Sequence, residues 1–110
     1  MADSATEAFA EINQRMQSDP SRLKGVNAKY AFDLTGDNGG QYHMNISDGT
    51  GDAGEGAPDS PNITITMKAE DFLQLYAGKM DPTMAFMSGK IKIKGDMGLA
   101  MKLQSLMRNG

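Results

Sequence analysis

The sequence predicts an α+β fold in which helices cover one face of a β-sheet. Four segments alternate apolar and polar residues with a period of two, and five other segments carry helical apolar spacing or helix end signals. Because alternation leaves one face of the sheet apolar and the other polar, we expect the helices to pack on the apolar face. A length of 110 residues suits one domain over residues 1–110, with enough chain to bury a core without disulfides.

The first predicted element is a helix. Ser4 and Glu7 have the spacing of a capping box, and an apolar stripe follows at helical intervals, formed by Phe9, Ile12 and Met16. Pro20 ends this helix because proline cannot continue the hydrogen-bond pattern of its interior. A short extra turn is expected from Pro20 through Leu23.

The middle of the chain predicts strands. Residues 29–35 and 41–47 alternate, and the glycine-rich turn at residues 36–40 joins them into a hairpin. Residues 48–62 hold four glycines and two prolines with almost nothing apolar, so we expect a loop with at most a weak edge strand. The next strand covers residues 63–68, where Ile63, Ile65 and Met67 alternate with polar residues.

Helices and one strand are predicted for the rest of the chain. A helix closes at Gly78, a short helix starts at Asp81, and residues 90–94 form a strand with three lysines on one face. Asp96 caps a last helix that runs to about Arg108. Its apolar residues are Met97, Leu99, Ala100, Met101, Leu103, Leu106 and Met107, which is more than the stripe of a surface helix requires. This helix is either wedged between other helices or lines a ligand cavity.

Composition excludes several kinds of site. The chain has no cysteine and one histidine, His43, so it cannot form disulfides, thiolate zinc sites or a multi-histidine metal centre. No nucleophile or carboxylate is placed by the sequence to work with His43, which we expect to be a solvated surface residue. We therefore predict no enzyme activity, no metal and no cofactor.

One motif is misleading. Residues 49–54 match the glycine fingerprint of dinucleotide-binding proteins, but Pro58 and Pro61 follow where that fingerprint needs a helix N-terminus. The acidic residues of the same loop lack the spacing of an EF-hand. We expect neither nucleotide nor calcium binding there.

Charge is distributed unevenly along the chain. Residues 1–78 carry five basic and twelve acidic side chains, whereas residues 79–110 carry six and two. The net charge of −3 has the wrong sign for a nucleic-acid-binding protein. Lys90, Lys92 and Lys94 either protect an edge strand or form a docking patch for an anionic membrane. No signal peptide or membrane span is apparent, which predicts a cytoplasmic location.

A long segment resembles a known family. Residues 85–104 read AFMSGKIKIKGDMGLAMKLQ, and together with residues 72–73 and 78–82 they strongly resemble the sterol carrier protein type 2 domain, the non-specific lipid-transfer family. The predicted N-terminal helix, the hairpin and the strand at residues 63–67 fit as well, so the resemblance covers nearly the whole chain. Within the family, residues 82–89 look most like the copy at the C-terminus of hydroxysteroid dehydrogenase-like proteins.

The resemblance implies a five-stranded mixed sheet, covered on one face by about five helices, with an apolar tunnel between the layers. By matching positions, the ligand-binding residues would be Phe72, Tyr76, Met84, Phe86, Met87, Ile91, Ile93, Ala100, Met101, Leu103, Gln104 and Met107. Arg15 and Arg22 are candidate partners for an acidic headgroup. Two features depart from the family: the glycine-rich residues 50–55 put the fifth strand in doubt, and the common C-terminal peroxisomal tripeptide is missing.

The predicted function is non-specific binding and transfer of fatty acids, acyl-CoA, sterols and phospholipids by a monomer. Family resemblance would also allow a peroxisomal location. The alternative is a protein-interaction module that docks a partner enzyme through its wide apolar last helix.

Overall fold

The computed structural model describes residues 4–107, apart from the side chains of Arg22 and of residues 104–107. Within these residues there are four α-helices and five strands. The helices are α1 (Ala5–Ser18), α2 (Ala69–Tyr76), α3 (Pro82–Met87) and α4 (Met97–Met107), with a 3₁₀ turn at Pro20–Leu23. The strands are β1 (Asn27–Thr35), β2 (Gly40–Ser47), β3 (Thr50–Glu55), β4 (Ile63–Lys68) and β5 (Ile91–Gly95).

The strands form one mixed sheet in the order β3-β2-β1-β4-β5. Strand β1 pairs with β2 as the predicted antiparallel hairpin and with β4 in parallel, while β3 and β5 add antiparallel edges. The α+β class and the five-stranded mixed sheet are thus confirmed. The described helices comprise the four α-helices and the 3₁₀ turn, close to the number expected.

Strand β3 corrects the sequence prediction, which left residues 48–62 as a loop with at most a weak edge strand. Residues Thr50–Glu55 pair with β2 along their whole length. A Cβ atom at Gly51 would lie 2.3 Å from the Cε atom of Met16, and Ala53 donates its amide to Asn13 of α1 at 2.9 Å. The small residues Gly51 and Ala53 thus allow α1 to pack closely on this strand.

The core between α1 and the sheet is aromatic. Ser4 caps α1 through its hydroxyl, which accepts the Glu7 amide at 3.2 Å, so the first half of the predicted capping box is present. Phe9 stacks on Tyr42 and on Phe72, with ring centroids 4.6 and 5.1 Å apart. These contacts fix α1 and α2 over the same region of the sheet.

The other face of the sheet carries mostly polar residues of β2 and β4. His43 lies on this face as predicted, but it is not freely solvated, since its side chain is only 20% exposed. Its Nδ1 atom lies 3.1 Å from the Gly56 carbonyl oxygen and its Nε2 atom 3.1 Å from a carboxylate oxygen of Asp52. Among the described residues, no group of histidine and acidic side chains could hold a metal ion.

The helices of residues 4–107 do not include one with the length and apolar character needed to cross a bilayer. The longest, α1, has 14 residues.

Candidate functional site

A cavity of about 800 Å³ lies between the sheet and the helices of the C-terminal half. This volume is within the range of about 300–1,000 Å³ that is usual for small-molecule sites. Its floor is formed by apolar side chains of three neighbouring strands: Phe32 of β1, Ile65 and Met67 of β4, and Ile91 and Ile93 of β5. Because strand residues two apart share a face, the alternation in β4 and β5 places these side chains beneath the helices.

The walls come from α2, α3 and α4 and from the segment between α2 and α3. The lining includes Phe72, Leu75 and Tyr76 of α2, residues 77–83, Phe86 of α3, and Met97, Ala100, Met101 and Leu103 of α4. Helix α4 therefore has an apolar face on the cavity in addition to the residues that pack on the core. The side chains of Leu106 and Met107, the last two apolar residues of α4, lie outside the described residues.

Helix α4 is held over the cavity at its N-terminal end. The Tyr30 hydroxyl, on a side chain with no exposed surface, donates a hydrogen bond to the Leu99 carbonyl oxygen at 2.7 Å. Burial, with the nearby Asp96 carboxylate, raises the pKa of Tyr30 to about 12, so this hydroxyl stays a donor at neutral pH. Gly95 makes the turn between β5 and α4 at φ 118°, and a Cβ atom there would lie 2.4 Å from the Asn62 carbonyl oxygen.

Helix α3 is short and buries little. Asp81 caps it by accepting the Thr83 amide at 2.8 Å, and Ala85 is its buried residue. Met84 and Met87 are 65% and 78% exposed and do not line the cavity, although both were predicted to do so. Of the three α3 residues that the resemblance implied as cavity walls, Phe86 is in the lining, whereas the two methionines face outward and Ala85 faces the core.

A polar cluster joins α1 to Tyr76 of α2, whose side chain lines the cavity. The Arg15 guanidinium donates to the Tyr76 hydroxyl and lies 5.2 Å from the centre of its ring, while that hydroxyl donates to Glu11 at 2.6 Å. Burial and then the hydrogen bond to Glu11 raise the pKa of Tyr76 to about 12, against the opposite effect of Arg15. Tyr76 thus links the cavity lining to a cation on α1.

The cavity lining includes most residues that the sequence placed there: Phe72, Tyr76, Phe86, Ile91, Ile93, Ala100, Met101 and Leu103. The side chains of Gln104 and Met107, predicted as walls, and of Arg22, predicted near a headgroup, lie outside the described residues. Sequence reasoning missed Phe32, Ile65, Met67, Leu75, Met80 and Met97. Strand alternation had already put Phe32, Ile65 and Met67 on the buried face, which was the available signal.

Fold and cavity together define a small α+β protein that holds an apolar space between its sheet and its helices. The chain belongs to the SCP-2 sterol transfer family, whose profile matches residues 9–108, which confirms the resemblance seen in the sequence. It is therefore a lipid-binding or lipid-transfer domain.

Similar proteins agree with this assignment. The chain is 43% identical over 89 residues to hydroxysteroid dehydrogenase-like protein 2 of Danio rerio, and 40% identical over 102 residues to the Homo sapiens protein of that name. These alignments cover 80% and 92% of this chain but 21% and 24% of the relatives, so the chain spans less than a quarter of their length. The dehydrogenase-like name belongs to those much longer proteins.

Two solved structures resemble the chain over nearly its full length. The sterol carrier protein domain 2 of Helicoverpa armigera superimposes with a TM-score of 0.77 at 35% identity, covering 93% of this chain and 84% of that one. Palmitated SCP2L2 from Aedes aegypti superimposes with a TM-score of 0.77 at 25% identity, covering 96% of both chains.

Proposed function

We propose that the protein binds single acyl chains non-specifically in its cavity and transfers them between membranes. The observation that carries the proposal is the cavity of about 800 Å³, lined largely by apolar side chains of β1, β4, β5 and α4. A palmitated relative with the same fold supports an acyl chain as the ligand. Acyl-CoA, sterols and phospholipids are further candidate ligands in this proposal.

The energetics favour exchange over tight retention. Moving a chain of about sixteen carbons from water into an apolar cavity gains about 12 kcal/mol before binding costs, at about 0.8 kcal/mol per methylene. The same chain in a bilayer is already in an apolar environment, so its net preference for the cavity is small. Flexible methionines such as Met97 and Met101 in the lining suit chains of different shape, because the unbranched thioether repacks easily.

Arg15 is the proposed partner of an acidic headgroup. Its guanidinium contacts Tyr76, which lines the cavity, so a carboxylate at that end would come close to a cation. Glu11, which accepts from the same tyrosine, would compete with that carboxylate. Arg15→Gln should therefore weaken palmitate binding more than binding of the uncharged hexadecanol, and Glu11→Gln should strengthen palmitate binding. If Arg15→Gln weakens the binding of palmitate and of hexadecanol equally, Arg15 does not bind the headgroup.

Direct titration with a fluorescent fatty acid tests the function itself. We expect the unaltered protein to bind the fluorescent fatty acid saturably and to release it when unlabelled palmitate is added. We also expect the protein to have the mass of a monomer. The alternative, an interaction module that docks a partner enzyme, predicts no uptake. The monomeric state, the cytoplasmic location and the absence of cofactor and catalysis stay predictions from the sequence.

A further inference from the structure

The methionine side chains of the described residues differ widely in their exposure to solvent. Met16, Met44 and Met67 are buried in the core. The exposed methionines all lie on the two helices α3 and α4, and they are Met84 (65% exposed), Met87 (78%), Met97 (49%) and Met101 (75%). Oxidation of a thioether requires that the oxidant reach the sulfur atom, so the exposed methionines are open to modification while the buried ones are protected.

The cavity divides the exposed methionines into two pairs. Met97 and Met101 of α4 line the cavity and are also exposed, so their side chains lie where the cavity meets solvent. Met84 and Met87 of α3 are exposed but do not line the cavity. Met80 lines the cavity as well, but it is only partly exposed. Modification of the α4 pair therefore changes the wall of the cavity, whereas the α3 pair offers an internal control that is also exposed.

We infer that Met97 and Met101 are a site of oxidation by hydrogen peroxide, and that their sulfoxides weaken the binding of acyl chains. The inference rests on the proposed function, because it takes the cavity as the lipid site. In each reaction the thioether sulfur attacks one oxygen of the peroxide, and a sulfur–oxygen bond forms while the oxygen–oxygen bond breaks. The sulfur is oxidised by two electrons and the peroxide is reduced. The second peroxide oxygen takes the proton of the transferred hydroxyl and leaves as water.

The effect of the sulfoxides follows from the chemistry of the cavity wall. A thioether is apolar and flexible, and it repacks around an acyl chain. Oxidation turns it into a polar group whose oxygen loses its bound water when an acyl chain covers it. The other α4 side chains in the described lining, Ala100 and Leu103, have no hydrogen-bond donor to replace that water. A sulfoxide on this wall therefore opposes the binding of an apolar ligand.

Graded treatment with hydrogen peroxide, followed by peptide mass spectrometry, shows where oxidation occurs. We expect the exposed methionines of α3 and α4 to gain an oxygen atom first and Met80 to follow. The buried methionines should stay reduced as long as thermal unfolding shows that the protein is folded. Oxidation of the buried methionines as fast as that of Met97 and Met101 in folded protein would overturn the inference, because exposure would then not select the site.

Fatty-acid titration of protein oxidised to this stage measures the consequence for binding. The Kd for palmitate should rise by about tenfold, because polar groups are covered without partners. Reduction of the sulfoxides by methionine sulfoxide reductases should restore the original Kd. The Met97→Leu/Met101→Leu variant has no oxidisable sulfur at these positions, so its Kd after peroxide treatment should equal its Kd before treatment. The matched Met84→Leu/Met87→Leu variant should lose affinity on treatment as the unaltered protein does.

These measurements separate the inference from the proposed function. Failure of the untreated protein to bind fatty acid refutes the proposed function, and with it the effect of oxidation on binding. Binding by the untreated protein that persists unchanged after Met97 and Met101 are oxidised overturns the inference alone. A loss of affinity on treatment of the Met97→Leu/Met101→Leu variant that equals the loss in the unaltered protein also overturns it, because other methionines then carry the effect.

Discussion

Filling the cavity from α4 should block ligand binding without unfolding the protein. Ala100 is half-buried and lines the cavity, so a larger side chain there has room that the core does not offer. In Ala100→Phe, about half of the phenyl ring is expected to enter the cavity and to displace about three ligand methylenes. At about 0.8 kcal/mol each, this displacement costs about 2.4 kcal/mol of binding free energy. That loss corresponds to an increase of about 60-fold in the Kd for palmitate.

The assay is fluorescent fatty-acid titration together with thermal unfolding. We expect the affinity of Ala100→Phe to fall while its unfolding midpoint stays equal or rises, because the ring buries apolar surface in an existing space. The matched control is Ala10→Phe on the exposed face of α1, which should change neither affinity nor fold. Unchanged affinity of a folded Ala100→Phe protein would refute the assignment of this cavity as the binding site.

Three further predictions concern chain length and stability. Saturated fatty acids should bind more tightly with each added methylene until the cavity is filled, and a flat length series in titration would contradict an apolar site. Tyr30→Phe removes the hydrogen bond to Leu99 and should cost about 1 kcal/mol of unfolding free energy, a fall of about 5 °C in the midpoint; an unchanged midpoint would show that this bond does not hold α4. Because burial raises the pKa of Tyr30 and of Tyr76 to about 12, their contribution to stability is complete below about pH 10. This contribution to stability should be lost as pH rises through about 12. A thermal unfolding midpoint that stays constant between about pH 10 and pH 12 would count against the burial of the two tyrosines.

The edge strand β3 shows where sequence patterns fail. Hydrophobic alternation finds strands whose buried positions hold large side chains, as Ile63, Ile65 and Met67 do in β4. In β3 the inward-facing positions are Gly51, which is half-buried, and Ala53, which is buried, and a Cβ atom at Gly51 would lie 2.3 Å from the Cε atom of Met16 on α1. The sequence shows only small and polar residues there, and those are also typical of loops.

The cavity shows a second limit of prediction from sequence patterns. Alternation correctly predicted that Phe32, Ile65 and Met67 are buried, but it could not separate the part of the sheet beneath α1 from the part beneath the cavity. That division depends on where α2 and α4 cross the sheet, which is set by long-range packing. The family resemblance supplied the walls on α2 and α4 because its motif lies there.

Helix α3 shows the opposite error. The family resemblance implied that Met84, Phe86 and Met87 are cavity walls, yet of these Phe86 alone is in the lining, Ala85 is the buried residue, and Met84 and Met87 face solvent. The resemblance gave these residues by matching positions, and a six-residue helix is too short for its own apolar pattern to show which side is buried.

Native mass spectrometry of gently purified protein tests the central claim most directly, with identification of any lipid released on denaturation. The account predicts a monomer that carries one lipid adduct, or that takes up added palmitate with the corresponding gain in mass. A clean monomer that fails to take up fatty acid or acyl-CoA would contradict the account, and the interaction-module alternative would then be favoured.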